Sequence, residues 1–97
     1  MKQRNATFPW PSLEQVYLIE RDAGLLCRIL GLYASRGIDV LSADYAYAAQ
    51  DVMTLKVCVA DERDDTAEVL RVLVDKAANL VGVLAAAEQP AANQRAA

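Results

Sequence analysis

Few residues in this 97-residue chain could carry chemistry, and their pattern does not favour catalysis. There is no histidine, which removes the commonest general base, the usual zinc sites and the Ser-His and Cys-His nucleophile pairs. Four carboxylates lie close together in sequence, at Asp61, Glu62, Asp64 and Asp65. They lack the spacing and the central glycine of an EF-hand, and a solvated loop that begins a helix explains them better. We therefore expect no metal, no cofactor and no independent enzymatic activity.

The cysteines and the charge pattern indicate the cellular compartment of the chain and the kinds of partner that are not expected. Cys27 and Cys58 lie in apolar stretches without CxxC spacing, so we interpret them as buried, reduced thiols of a cytoplasmic protein. The formal charge is −3, with acidic and basic residues interspersed, whereas binding to phosphates needs a clustered basic face. The first residues lack the apolar core of a signal peptide, and no apolar run approaches the ~20 residues of a membrane span. Nucleic acid and membranes are therefore not expected as partners.

The most informative stretch for binding is the turn Arg-Asp-Ala-Gly-Leu-Leu at residues 21–26. Asp22 is a good helix N-cap, and Gly24 allows the backbone to turn tightly before the helix. Backbone N–H groups at a helix N-terminus favour an anion, such as the α-carboxylate of an amino acid. Gly24 is therefore either part of an anion site or simply a residue of a tight turn, and the residues alone leave both interpretations open.

Four segments have the composition and alternation of β-strands. They are residues 14–21, 38–48, 52–59 and 80–86. The third alternates most clearly, and its expected inward side chains are Met53, Leu55, Val57 and Val59. The first is apolar on both faces, with Val16 and Leu18 on one and Tyr17 and Ile19 on the other. We expect Tyr17 to lie on the outer face, where a partner subunit or the N-terminal segment around Trp10 covers it.

Two helices are predicted between these strands. The first follows the N-cap Asp22 and ends at Gly37 as its C′ residue; its apolar face is Leu26, Ile29, Leu30 and Tyr33. The second begins where Asp65 and Glu68 have capping-box spacing and ends near Asn79; its apolar face is Leu70, Leu73, Val74 and Ala77. The order β-α-β-β-α-β predicts an α+β fold, a ferredoxin-like plait with a four-stranded antiparallel sheet and both helices on one face. We expect one domain at residues 14–87, an N-terminal tail at 1–13 and a disordered tail at 88–97.

Two stretches carry a resemblance to a known family. The turn Asp22-Ala23-Gly24-Leu25-Leu26 resembles the D-x-P-G-x-L turn of ACT domains, with alanine in place of the usual proline. The segment GLYASRGIDVLS, residues 31–42, resembles the G-L-F-S-R-R-G-F-N-I-E-S segment of the small regulatory subunits of acetohydroxyacid synthase (acetolactate synthase). The resemblance spans about residues 15–86. It implies an ACT domain that regulates a separate thiamine-dependent catalytic subunit and joins a second copy side by side into one continuous sheet.

The resemblance also implies an effector site at the dimer interface, for valine, leucine or isoleucine. One chain supplies the turn and its partner the start of strand two; the residues are Arg21, Asp22, Ala23, Gly24, Leu25 and Leu26, with Ile38 and Asp39. The family commonly has asparagine at the positions of Arg21 and Asp39. Either Arg21 binds the carboxylate of a zwitterion and Asp39 its ammonium group, or the two side chains pair across the interface and fill the site. The alternatives to an acetolactate synthase subunit are a free-standing ACT domain for another amino acid or enzyme, and a dimerisation module without a ligand.

Overall fold

The elements follow one another in the predicted order over residues 11–90, the part of the chain that this computed structural model describes. They are β1 (Ser12–Glu20), α1 (Ala23–Ser35), β2 (Val40–Ala49), β3 (Val52–Ala60), α2 (Thr66–Ala78) and β4 (Val83–Pro90). The strands form one antiparallel sheet in the order β2-β3-β1-β4. The predicted ferredoxin-like plait is therefore confirmed. No helix in this range is long and apolar enough to cross a membrane.

Both ends of the sheet extend beyond the predicted domain limits. β1 begins at Ser12, inside the expected N-terminal tail, and β4 continues to Pro90, inside the expected C-terminal tail. The register explains both extensions, since Ser12 pairs with Ala60 and Leu13 pairs with Pro90. Backbone groups at these positions thus find partners in the sheet. The remaining parts of the expected tails, 1–10 and 91–97, lie outside the described residues.

The core lies between the two helices and one face of the sheet. The predicted inward side chains of β3 and the predicted apolar face of α2 are all buried there. The buried face of α1 is centred on Leu25, Ile29 and Tyr33, whereas Leu26 and Leu30 are half-buried at its side. The helix is therefore rotated slightly from the predicted orientation, with Leu25 rather than Leu26 in the core.

The expectation that Tyr17 and Ile19 face outward is wrong. Both side chains are fully buried under the helices, whereas Leu18 is 37% exposed on the opposite, helix-free face. Strand alternation puts Glu14 and Glu20 on the same face as Leu18. Because burying a carboxylate is costly, the glutamates keep that face toward solvent and turn Tyr17 inward. A charge at position 17 would therefore disrupt the core.

A chain of hydrogen bonds crosses the apolar core between β1 and α1. The Tyr17 and Tyr33 hydroxyl oxygens lie 2.7 Å apart, and the Tyr33 hydroxyl donates to Oε1 of Gln15 at 2.9 Å. Burial raises the pKa of Tyr17 to about 12 and raises the pKa of Tyr33 well above the usual tyrosine value. Both phenols are therefore neutral near pH 7, and their pairing satisfies polar groups that would otherwise be buried at a cost.

The end of α1 fixes the backbone direction at the start of β2. Gly37 has a φ of 67°, its N–H donates to the carbonyl of Ala34 at 3.1 Å, and the N–H of Ile38 donates to the carbonyl of Tyr33 at 3.0 Å. These two bonds form a Schellman motif, with the buried Ile38 as its apolar anchor. The prediction of Gly37 as the C′ residue is confirmed. Asp39 lies directly after this turn.

The predicted capping box at the start of α2 is not formed. The backbone of Asp65 has φ −98° and ψ 6°, and its side chain makes no cap hydrogen bond. An N-cap residue needs an extended backbone to aim its side chain at the first amides, which explains the difference. The Asp65 carboxylate instead pairs with Nε of Arg63 at 3.4 Å, and the Arg63 N–H donates to the Thr66 hydroxyl at 3.2 Å.

Candidate functional site

The turn between β1 and α1 is held in place by two neighbouring turns. The N–H of Arg21 donates to the carbonyl of Asp51 at 2.9 Å, and Nη2 of Arg21 donates to the Asp51 carboxylate at 2.9 Å. The N–H of Glu20 donates to the carbonyl of Gly82 at 2.9 Å. Asp51 lies in the β2–β3 turn with a φ of 54°, and Gly82 directly precedes β4. Three turns therefore meet at this end of the sheet.

The carboxylate of Asp22 occupies the amides at the start of α1. Its Oδ1 accepts the N–H of Gly24 at 2.8 Å and that of Leu25 at 3.3 Å. The predicted N-cap is thus confirmed, with an extended backbone at Asp22. The same two amides are those that an effector carboxylate was expected to use. The chain's own carboxylate is the anion at this helix N-terminus, so a ligand must displace it or bind beside it.

Gly24 does not serve as a left-handed turn residue, since it lies in the first turn of α1. A Cβ at this position would lie 3.3 Å from Oδ1 of Asp22, a close approach that glycine relieves. Two other residues of this region have a left-handed backbone, Asp51 in the β2–β3 turn and Gly82, which has a φ of 99°. A Cβ there would come within 2.8 Å of Cδ2 of Leu25. Gly82 was expected inside the fourth strand, at residues 80–86, whereas β4 begins only at Val83. An isolated glycine in a strand pattern is a signal for such an irregularity.

The two halves of the predicted effector site lie far apart within one chain. Residues 21–26 are at the start of α1, and Ile38 and Asp39 follow its end. The 13 residues of the helix separate them by about 20 Å. Arg21 through Gly24 are exposed, Leu26 is half-buried, and Leu25 and Ile38 are buried. A site that uses both halves therefore needs the start of β2 from a second copy.

The charged pair singled out in the sequence has other neighbours in the single chain. Arg21 is bonded to Asp51, and both side chains are largely exposed, at 64% and 78%. Such surface pairs contribute little free energy, so a ligand carboxylate could compete with Asp51 for Arg21. Asp39 is exposed beside an open cleft of about 200 Å³, which Glu62 and Arg63 also line. Neither sequence hypothesis for Arg21 and Asp39 included Asp51 or Arg63.

The strand that carries the second half of the site has an open edge. β2 pairs with β3, and in the described part of the chain no strand lies on its other side. It is 10 residues long, and Asp44 is its single charged residue. Val40 is 36% and Tyr47 68% exposed along it. Long edge strands with few charges invite pairing with another strand, so this edge is suited to extending the sheet.

Comparison with known proteins identifies the fold. No family model matches the sequence, and no curated protein sequence matches it significantly. The C-terminal domain of the MgtC protein from Mycobacterium tuberculosis superposes with a TM-score of 0.70 at 18% identity, over 95% of this chain and 100% of that one. An ACT domain protein from Streptococcus pneumoniae gives 0.67 at 18% identity, over 91% and 98%.

A regulatory subunit shares the same architecture. The ligand-free regulatory subunit of aspartate kinase from Thermus thermophilus superposes with a TM-score of 0.63 at 20% identity, over 82% of this chain and 51% of that one. At identities this low, the likeness concerns the fold. The antiparallel sheet in the order β2-β3-β1-β4, with its two helices, gives this chain the fold of an ACT domain.

Proposed function

We propose that this chain is a non-catalytic regulatory ACT domain that pairs with a second copy along β2 and binds a small amino acid between the copies. The open edge of β2 carries the proposal, because edge pairing gives partners to the backbone groups that β2 leaves unpaired in a single copy. It also places Ile38 and Asp39, just before β2, in the contact region. The aspartate kinase regulatory subunit, which has the same fold, supports the regulatory role.

Pairing along β2 makes use of side chains that are exposed in the single chain. Tyr47 lies opposite Met53 in the register, on the face of the sheet that the helices cover. A partner at the β2 edge would bury the exposed Tyr47 ring and the exposed part of Val40. Burial of such apolar surface stabilises association by roughly 25 cal/mol per Å² before entropic costs.

The regulated enzyme in this proposal is the thiamine-dependent catalytic subunit of acetolactate synthase, with valine, leucine or isoleucine as effector. The resemblance over residues 31–42 supports this assignment. That segment runs from the middle of α1 through the Schellman turn at Gly37 into β2, and it includes Ile38 and Asp39. Effector binding would shift the activity of the catalytic subunit by a coupling free energy of about 1–3 kcal/mol.

One observation favours a second candidate, a pairing module that binds no effector. The carboxylate of Asp22 already accepts the amides of Gly24 and Leu25, and Arg21 is already bonded to Asp51. Both donors that an amino acid carboxylate would use have therefore found partners within the chain. A free-standing domain that serves another amino acid or another enzyme is the third candidate.

Sedimentation equilibrium of three full-length proteins tests the pairing. The wild type is compared with Tyr47→Lys, on the β2 edge, and with Val81→Lys, a 90% exposed control outside β2. We expect the wild type and the Val81 variant to dimerise equally, and Tyr47→Lys to dimerise at least about tenfold more weakly. A wild type that stays monomeric contradicts pairing, and equal constants for all three contradict the β2 edge.

Calorimetric titration with valine, leucine and isoleucine then separates the first two candidates. Heat with one of them, lost in Asp39→Ala and weakened in Tyr47→Lys, supports an effector site between copies. Dimerisation without heat from any of the three supports the module without an effector. Pull-down of the tagged chain from its native cytosol tests the enzyme, because the proposal requires a thiamine-dependent subunit to come with it.

A further inference from the structure

The cleft beside the start of β2 brings a cation and two carboxylates together. It has a volume of about 200 Å³, and Ile38, Asp39, Glu62, Arg63 and Thr66 are among the residues that line it. The last three come from the loop after β3 and from the first residue of α2. Pockets for drug-sized ligands measure about 300–1,000 Å³, so this cleft suits a smaller molecule, of the size of an amino acid.

The charged side chains of this cleft are not bonded to one another. In the described part of the chain, neither Asp39 nor Glu62 has an ion pair or a hydrogen bond through its side chain. The guanidinium of Arg63 pairs with Asp65, which lies outside the cleft lining. One positive and two negative groups are therefore available for the opposite ends of a zwitterion, in charge-assisted hydrogen bonds.

Arg63 has more free donors for a carboxylate than the groups at the start of α1 have. Its ion pair with Asp65 runs through Nε at 3.4 Å, longer than the roughly 2.7–2.9 Å of a strong charge-assisted bond. The N–H groups on its two Nη atoms remain for a ligand. By contrast, Nη2 of Arg21 is bonded to Asp51 at 2.9 Å, and the first amides of α1 are bonded to Asp22.

Pairing of two copies along β2 would close this cleft. Two identical edges that meet across a two-fold axis within one sheet run antiparallel, so the start of β2 in one copy lies near the end of β2 in the other. The end of β2 leads to Asp51, whose carboxylate holds Arg21. The β1–α1 turn of the second copy would therefore cover the cleft and exclude water, which strengthens charged contacts inside it.

We infer that Arg63 binds the carboxylate of the effector and that Asp39 of the same copy binds its ammonium group. Ile38, which is buried at the wall of the cleft, contacts the apolar side chain of the ligand. Arg21 of the second copy keeps Asp51 as its partner, and the amides at the start of α1 keep their cap. The inference rests on the proposed function, because it assigns the contacts of the same amino acid, and it needs no donor that is already bonded.

Calorimetric titration of full-length variants with valine, leucine and isoleucine tests the role of Arg63. Arg63→Gln is compared with Arg21→Gln and with Arg71→Gln, an exposed control on α2, so that each variant loses one positive charge. Arg63→Gln should bind the amino acid that the wild type recognises about 10- to 100-fold more weakly. Arg21→Gln should lose clearly less, and Arg71→Gln should stay within about threefold, because distant surface charges are screened.

The outcomes separate this inference from the proposed function. If the wild type binds an amino acid and Arg63→Gln binds it equally well, the inference is overturned and the effector site stands. A loss in Arg21→Gln as large as that in Arg63→Gln has the same meaning. If the wild type binds none of the three amino acids, the proposed effector site is overturned, and the inference falls with it.

A second readout uses the wild type alone. The Nε–Hε signal of Arg63 in the NMR spectrum, identified by its absence in Arg63→Gln, should shift during the titration with the same dissociation constant as the amide of Asp39. A signal that does not move while the Asp39 amide shifts overturns the inference. Arg63→Gln should itself remain folded by circular dichroism, because the side chain makes only the exposed pair with Asp65.

Discussion

Replacing Gly82 with alanine tests the contact that fixes the start of α1. Gly82 has a φ of 99°, and a Cβ there would lie 2.8 Å from Cδ2 of Leu25. Leu25 is 1% exposed, so its side chain cannot retreat without disturbing the core. The carbonyl of Gly82 also accepts the N–H of Glu20, which holds the turn against β1. Both the backbone conformation and the space therefore demand glycine.

The expected loss is about 2–5 kcal/mol of unfolding free energy. A left-handed backbone costs an L-residue roughly 1–2 kcal/mol, and a methyl group forced into a filled core costs roughly 1–3 kcal/mol more. Domains of this kind are stable by only about 5–15 kcal/mol. Gly82→Ala should therefore shift the urea midpoint strongly, with little change in the slope.

Two other glycines are matched controls for the two contributions, the left-handed backbone and the lack of space for a Cβ. Gly37 has a φ of 67° and nothing within 4 Å of its Cβ position, so Gly37→Ala should lose only the backbone part, about 1–2 kcal/mol. Gly31 lies inside α1 with open space around it, so Gly31→Ala should gain about 0.5–1 kcal/mol. Urea unfolding followed by circular dichroism ranks the unfolding free energies of the three variants. All are measured at one protein concentration, because pairing adds stability. A Gly82 variant at least as stable as the Gly37 variant refutes the contact with Leu25.

Three further predictions use the same unfolding assay. Asp22→Ala removes the acceptor of two cap hydrogen bonds and should cost about 1 kcal/mol, whereas Asp22→Asn should cost clearly less; equal losses contradict the cap. Tyr33→Phe leaves the buried carbonyl of Gln15 without its donor and should cost about 1–3 kcal/mol; no loss contradicts the hydrogen-bonded chain. Tyr17 ionises near pH 10 when unfolded, but burial raises its pKa to about 12 in the folded chain. The unfolded state thus loses its proton first, and stability should fall as pH rises from about 10 to about 12; a loss of the same size in Tyr17→Phe contradicts this cause.

The order of elements could be predicted because its signals are local. Asp22 before α1 and Gly37 after it act through the backbone of the adjoining turn, and the alternation in β3 continues over its whole length. The capping box at Asp65 failed because capping also requires an extended backbone. Asp65 lies in the loop closed by the hydrogen bond between Arg63 and Thr66, and its backbone is not extended there.

The orientation of β1 could not be predicted from its apolar residues, because both faces carry them. Tyr17 is inside because Glu14 and Glu20 share the other face, a signal that was present in the sequence. The buried Gln15 obscured this signal, since a polar residue on the inner face breaks the expected alternation. Its burial depends on the Tyr33 hydroxyl from α1, a tertiary contact that no local pattern contains.

The turn at residues 21–26 was predicted in its conformation but not in its contacts. Residues 21–26 do form the turn that begins α1, and Asp22 caps it. The partners of this turn, Asp51 and Gly82, come from distant parts of the sequence. They meet it because the sheet register brings the β2–β3 turn and the start of β4 to the end of β1, which the sequence does not display.

The most direct test of an effector site shared between two copies is an amide chemical-shift titration of the dimeric full chain with valine. The account predicts that the amides of Gly24 and Leu25 shift together with those of Ile38 and Asp39, with one common dissociation constant. These two groups lie about 20 Å apart within one chain, at opposite ends of α1, so a joint response requires the second copy. Shifts confined to one group, or no shifts with valine, leucine or isoleucine, would contradict a shared effector site.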